Sequence, residues 1–156
     1  MTGYRVSASR TVPVEITRAF DVVLTEPLPR LFSRRYGPMA PIREVRDQTG
    51  GVWGTVGQTR RIVLTDDGAM TERLTSVDRP SSFGYVISDL KGPFKALIAS
   101  LDGAWTFEAA GTGTRITWSW TLQPASSTAS YALPVFARLW RGYARQALEE
   151  VEKVLV

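Results

Sequence analysis

From Tyr4 to Val14 the chain alternates. Tyr4, Val6, Ala8, Val12 and Val14 fall on one side, and Arg5, Ser7, Ser9 and Thr11 on the other. A period of two predicts a strand over residues 4–14, with regular pairing ended at Pro13. The period then lengthens. Ile16, Phe20, Val23 and Leu24 share one face of a helix over 15–24. Leu28, Leu31 and Phe32 mark a second short helical piece after Pro27, and Gly37-Pro38-Met39-Ala40-Pro41 breaks it.

Strand-like patterning then runs to residue 123. A weak strand is expected over 42–48. Clearer strands over 57–65 and 69–77 are joined by Asp66-Asp67-Gly68, a three-residue hairpin signal. Pairing Thr65 with Ala69 puts Ile62 opposite Glu72 and Leu64 opposite Met70. Gln58, Arg60, Ile62, Leu64, Met70, Glu72 and Leu74 then share one face. A strand over 82–90 aligns Phe83, Tyr85, Ile87 and Asp89. Two long strands, 98–109 and 114–123, surround the turn Ala110-Gly111-Thr112-Gly113. Pairing Ala109 with Thr114 sets Phe107 against Ile116 and Trp105 against Trp118, and Trp120 and Leu122 continue that face. Asp102 has the opposite parity and is expected in solvent.

A loop over 124–128 leads to the strongest helical pattern, residues 132–155. Phe136, Trp140, Tyr143, Ala147, Val151 and Val154 recur at steps of three and four. Arg138, Arg141, Arg145, Glu149, Glu152 and Lys153 fall opposite, and Arg145–Glu149 has i,i+4 spacing. Pro134 belongs in the first turn.

This order predicts an α+β fold: one strand, two short helices, an antiparallel sheet completed by about six more strands, and one long helix. Such a sheet twists and coils. Only the final helix has the length and apolar stripe to cover its concave face. Where the wide end stays open, a pocket lined by aromatic and aliphatic groups forms.

Composition narrows the chemistry. The chain has 156 residues, 44% hydrophobic and 22% charged, which fits one domain over 1–156 and excludes a disordered chain. It has no Cys and no His. Disulfides, thiolate nucleophiles, zinc–cysteine sites and His-based triads are thereby excluded. Proton transfer is left to carboxylates, Tyr, Lys, Arg, water or the ligand. No dinucleotide fingerprint, Walker loop or calcium-site spacing is present, so no metal and no cofactor is expected.

The net charge is +4, and residues 1–61 carry 10 Arg against 5 acids. The basic half reads as attraction to an anionic partner, such as a phosphorylated ligand, a carrier protein or a membrane surface, or as an arginine-rich solvated surface. No basic block exceeds two residues, which favours the second, and no nucleic-acid motif appears, so no nucleic-acid partner is expected. The opening Met-Thr-Gly-Tyr-Arg-Val has no apolar signal core, and no stretch reaches spanning length. A cytoplasmic location without stable membrane insertion is the expectation. The oligomeric state is left open.

Three segments carry a resemblance. They are Val14-Glu15-Ile16-Thr17-Arg18-Ala19-Phe20-Asp21-Val22-Val23, then Trp105-Thr106-Phe107-Glu108 running through Gly113-Thr114-Arg115-Ile116-Thr117-Trp118, and the final helix rich in Leu, Arg and Ala. The chain resembles the helix-grip superfamily, also called START-like or SRPBCC. Within it, the sequence is similar to the polyketide cyclase/dehydrase and lipid-transport group. The resemblance spans nearly the whole chain and rests on structural motifs. It implies a curved sheet wrapped around the C-terminal helix, and an internal cavity for a hydrophobic or aromatic small molecule. Members bind lipids, sterols, polyketides or hormones, and some catalyse cyclisation, aromatisation or dehydration. The family has no universal catalytic residues to carry over.

Three residues are candidates for acid–base chemistry. Glu72 lies between Met70 and Leu74 on a mostly apolar face, with Arg60 diagonal to it. A cavity Arg–Glu pair, a structural ion pair and a solvent-facing strand are the readings of that pattern. Tyr85 and Asp89 share a face with Phe83 and Ile87, where a Tyr hydroxyl near a carboxylate can donate to a ligand carbonyl. Arg60, Ile62, Met70, Phe83, Phe94, Trp105, Trp118, Trp120, Phe136 and Trp140 are the candidate ligand-binding residues. The stretch Leu90-Lys91-Gly92-Pro93-Phe94-Lys95 is either a lid tipped by Phe94 or a plain connection. Binding alone, a cyclase- or dehydratase-type enzyme on the same cavity, and a module acting through its surface all fit these residues.

Overall fold

A computed structural model describes residues 3–156. The first strand, β1 (Tyr4–Val12), leads through Glu15 into α1 (Ile16–Thr25) and α2 (Leu28–Leu31). Then come β2 (Ile42–Arg46), β3 (Thr59–Leu64), β4 (Ala69–Asp78) and β5 (Ser82–Lys91). A 3-10 turn at Pro93–Ala96 precedes β6 (Ile98–Ala110) and β7 (Gly113–Pro124). A short helix, α3 (Ser127–Ser130), comes before the long α4 (Leu133–Leu155). Helix α3 has no counterpart in the sequence pattern. Ser126 caps it, accepting from the Ala129 amide at 3.0 Å.

The seven strands form one antiparallel sheet in the order β1-β7-β6-β5-β4-β3-β2. The hairpin β6–β7 has the expected register: Trp105 faces Trp118, Phe107 faces Ile116 and Ala109 faces Thr114. The hairpin β3–β4 is displaced by two residues. Arg60 pairs with Glu72, Ile62 with Met70 and Val63 with Ala69. The cause is local. Asp67 takes φ +66, and Asp66 accepts from the Gly68 amide at 2.8 Å, so the turn closes one residue earlier on each side. A shift of two preserves parity, so the face assignments survive.

Helix α4 lies in the grip of the sheet. Phe136, Trp140, Ala144, Ala147 and Val151 are buried along one stripe. Each large side chain so buried contributes about 1.5–3 kcal/mol. Polar contacts hold the helix in place. Arg10 donates to Glu152 at 2.9 Å, Arg34 to Glu149 at 2.8 Å, and Arg18 to the Leu155 carbonyl at 3.0 Å. Arg18 thus caps the C-terminal end of α4. Glu149 takes Arg34 as its partner in place of Arg145, because the loop after α2 brings a guanidinium across the helix face.

Candidate functional site

Between the sheet, α1, α2 and α4 lies a cavity of about 100 Å³. Its wall is almost wholly apolar. Val23, Leu31, Phe32 and Met39 come from the helical side, and Ile62, Phe83, Ile87 and Leu101 from the sheet. Aromatic side chains close it on a third side. Trp105 stacks on Trp118 at 5.2 Å between ring centroids, and Trp120 stacks on Phe136 at 6.4 Å. Phe94 meets Phe136 edge-on at 5.2 Å. The rim carries Asp66, Lys91 and Lys95.

Arg60, Glu72 and Tyr85 bring polar groups into this wall. Arg60 on β3 and its partner Glu72 on β4 are 8% and 4% exposed. Arg60 Nε donates to Glu72 Oε1 at 2.7 Å. Nothing else in the chain bonds to the Arg60 guanidinium among the described residues, so its terminal N–H groups are available to a ligand. One face of the guanidinium is covered by Trp53, whose ring centroid lies 3.8 Å from Cζ. Trp53 is carried by the loop between β2 and β3, and buried Gln58 holds that loop from inside. Gln58 accepts from the amides of Gly54 and Thr55 and donates to the carbonyls of Thr49 and Val52. Burial pushes the Glu72 carboxyl above its ordinary value, and Arg60 offsets part of that rise.

Tyr85 on β5 is the third group. Its ring crosses β6 directly over Gly103, where a Cβ would fall 2.1 Å from Tyr85 Cζ. Only glycine leaves room there. The hydroxyl thereby reaches β7, where Trp118 Nε1 donates to it at 2.7 Å and Trp120 Nε1 at 3.0 Å. Burial, and secondarily the charge of Glu72, push the phenol well above its ordinary value, so it stays protonated. A second phenol on the wall, Tyr143, donates to the Ala40 carbonyl at 3.0 Å. Among the described residues no group of three or more acidic side chains has the geometry to hold a metal ion.

Comparison with known proteins decides the family. The family model described as polyketide cyclase / dehydrase and lipid transport matches residues 4–156. The chain belongs to this family. No curated protein matches it. Among solved structures it is similar to the major latex-like protein 151 of Panax ginseng, at 14% identity and TM-score 0.73, covering 100% of this chain and 99% of that one. It is also similar to protein Ms6760 from Mycobacterium smegmatis, at 20% identity and TM-score 0.67, covering 97% and 90%. A third is DynU16, from the dynemicin biosynthetic locus, at 12% identity and TM-score 0.65, covering 97% of this chain and 46% of that one. At these identities the likeness is one of fold. It is the helix-grip arrangement that the sequence resemblance implied.

Within this family member, most of the sequence-derived candidates meet at one place. Arg60, Ile62, Met70, Glu72, Phe83 and Tyr85 line the cavity, and so do Phe94, Trp105, Trp118, Trp120 and Phe136. Two do not. Asp89 is exposed, with φ +50. The β4–β5 pairing jumps from Thr71–Ser88 to Ala69–Lys91, so β5 has an extra residue there. This bulge flips the parity: Asp89 turns to solvent and Leu90 takes the wall position. Trp140 is fully buried but off the wall, packed behind it on Trp118 at 4.9 Å and Trp120 at 5.6 Å. One turn along α4 from Phe136, it meets the sheet where the grip is closed. Sequence patterning missed Trp53. Its signal was a large aromatic alone among small residues, Gly50-Gly51-Val52-Trp53-Gly54.

Proposed function

We propose that this protein is a single ligand-binding domain that holds a hydrophobic small molecule, of lipid, polyketide or aromatic type, between sheet and α4. The observation that supports this is the wall itself: a mostly apolar hollow with few polar groups inside its rim, among them Arg60, Glu72 and Tyr85. Empty apolar space stays dry and favours an apolar guest, and a few fixed polar groups orient it. The reading takes the protein as cytoplasmic, without a nucleic-acid partner and without insertion into a membrane. Native mass spectrometry of protein purified from its own host should show a bound small molecule. Titration with the neutral dye N-phenyl-1-naphthylamine should saturate at one molecule per chain. A chain that carries nothing and shows no saturable dye binding would falsify the proposal.

A second reading is favoured by one observation. The Glu72 carboxyl, raised by burial, shares the cavity with a protonated phenol, and such groups carry acid–base chemistry. On this reading the protein cyclises or dehydrates a reactive polyketide-type chain. Folding that chain into a reactive shape supplies much of the rate. A turnover that persists unchanged in both Glu72→Gln and Tyr85→Phe rules this reading out.

A further inference from the structure

The hydroxyl of Tyr85 has a restricted chemistry. An indole nitrogen only donates, and a phenol oxygen offers two acceptor positions and one proton. Trp118 and Trp120 fill both acceptor positions, at 2.7 and 3.0 Å. Among the described residues these are the only hydrogen-bond partners of the group, so its own proton has no protein acceptor. Tyr85 is 6% exposed and lines the cavity. A buried donor without an acceptor costs free energy, and a ligand oxygen relieves that cost.

We infer that Tyr85 is an obligate hydrogen-bond donor to the bound molecule, so the ligand carries an uncharged oxygen acceptor, such as a ketone, quinone or ester carbonyl. The inference rests on the ligand-binding reading of the cavity and adds the chemical class of the guest. Trp118 and Trp120 are positioning residues: they fix the direction of the O–H and polarise it. Gly103 is another, because it lets the ring cross β6. The buried, largely apolar setting of this hydroxyl disfavours an unpaired anion, which selects a neutral acceptor over a carboxylate. A guest that places an N–H or O–H donor against this oxygen finds both acceptor positions taken.

The test uses two bicyclic probes of nearly equal shape, 1-indanone with a carbonyl and indane without. The wild-type protein should bind 1-indanone about tenfold more tightly than indane, the size of one good hydrogen bond. The infrared carbonyl stretch of bound 1-indanone should lie below its value in dry hexane. In Tyr85→Phe the preference and the infrared shift should both vanish while indane still binds. Should Tyr85→Phe fail to fold, Trp120→Phe reports instead. Its removal of one indole donor should weaken the infrared shift if Tyr85 holds the carbonyl, and leave it unchanged if Arg60 does. Equal binding of the two probes, an unshifted carbonyl, or a shift that survives in Tyr85→Phe overturns the inference. Binding of both probes alike sinks this inference alone, whereas binding of neither removes the cavity-binding reading beneath it.

Discussion

At Glu72 two forces act in opposite directions. Removal from water raises the carboxyl's pKa, and the Arg60 guanidinium at 2.7 Å lowers it, with burial the larger. The native state therefore binds this proton more tightly than the unfolded chain does. Its contribution to stability is fully present below the unfolded carboxyl range, near about pH 4.3, and is lost as pH rises through the folded value. In urea unfolding, the stability of wild type relative to Glu72→Gln should fall as pH rises above the unfolded carboxyl range. A rise with pH would mean that Arg60 dominates. Glu72→Ala, which strands a buried cation, should cost roughly 3–5 kcal/mol at neutral pH. The double change Arg60→Met with Glu72→Met should restore most of it. The apolar pair would keep the fold and lose the polar anchor. That outcome separates a site maintained for a ligand from one maintained for stability.

Among the elements, β5 shows how one inserted residue redirects a wall. From Ser82 to Ile87 its side chains alternate as the pattern demands, with Phe83, Tyr85 and Ile87 inward. At Asp89 the backbone turns to φ +50, which Asp tolerates and β-branched residues do not. Asp89→Gly should leave stability unchanged or raise it by up to about 1 kcal/mol. Asp89→Val should lower it by about 1–2 kcal/mol. On a regular exposed strand the order would be reversed, since Val favours strands and Gly weakens them. Thermal melts of the two variants decide the matter, and neither variant should alter the affinity of 1-indanone. The loop between β2 and β3 has a similar logic. Gln58 makes four hydrogen bonds into it, and the result is Trp53 set over Arg60.

For the molecule as a whole, the arginine-rich first half acquires an internal role. Arg10, Arg18 and Arg34 tie β1, α1 and the segment after α2 to the last turns of α4. In the second half, Arg79 forms a two-bonded pair with Asp21 of α1, at 2.7 Å for each contact. Exposed pairs like these are worth about 0–1 kcal/mol each, so they set the seating of the helix more than they stabilise the fold. The hollow is the complementary feature: apolar area that the chain leaves unpacked and a guest would fill. A molecule that binds only the native state stabilises it by about 2.7 kcal/mol at a hundred times its Kd. For a domain of this size that corresponds to roughly 5–10 °C in Tm. Saturating 1-indanone should give a rise of that order in differential scanning calorimetry. A flat Tm at saturation would show that the molecule sits on the unfolded chain as readily as in the cavity.

Period and parity are local, and they were legible in the residues alone. The alternation in 114–123 and the spacing of Phe136, Ala147 and Val151 set the elements, the inward faces and the antiparallel order. Even a hairpin register wrong by two left Arg60 and Glu72 on the correct side, because parity has only two values. What the fold alone decided depends on contacts between distant parts of the chain. The bulge at Asp89, the withdrawal of Trp140 behind the tryptophans and the seating of Trp53 on Arg60 are such features. So is the capture of one phenol by two indoles across a glycine. Each follows from how two surfaces meet, and spacing along a single strand has no means of encoding that.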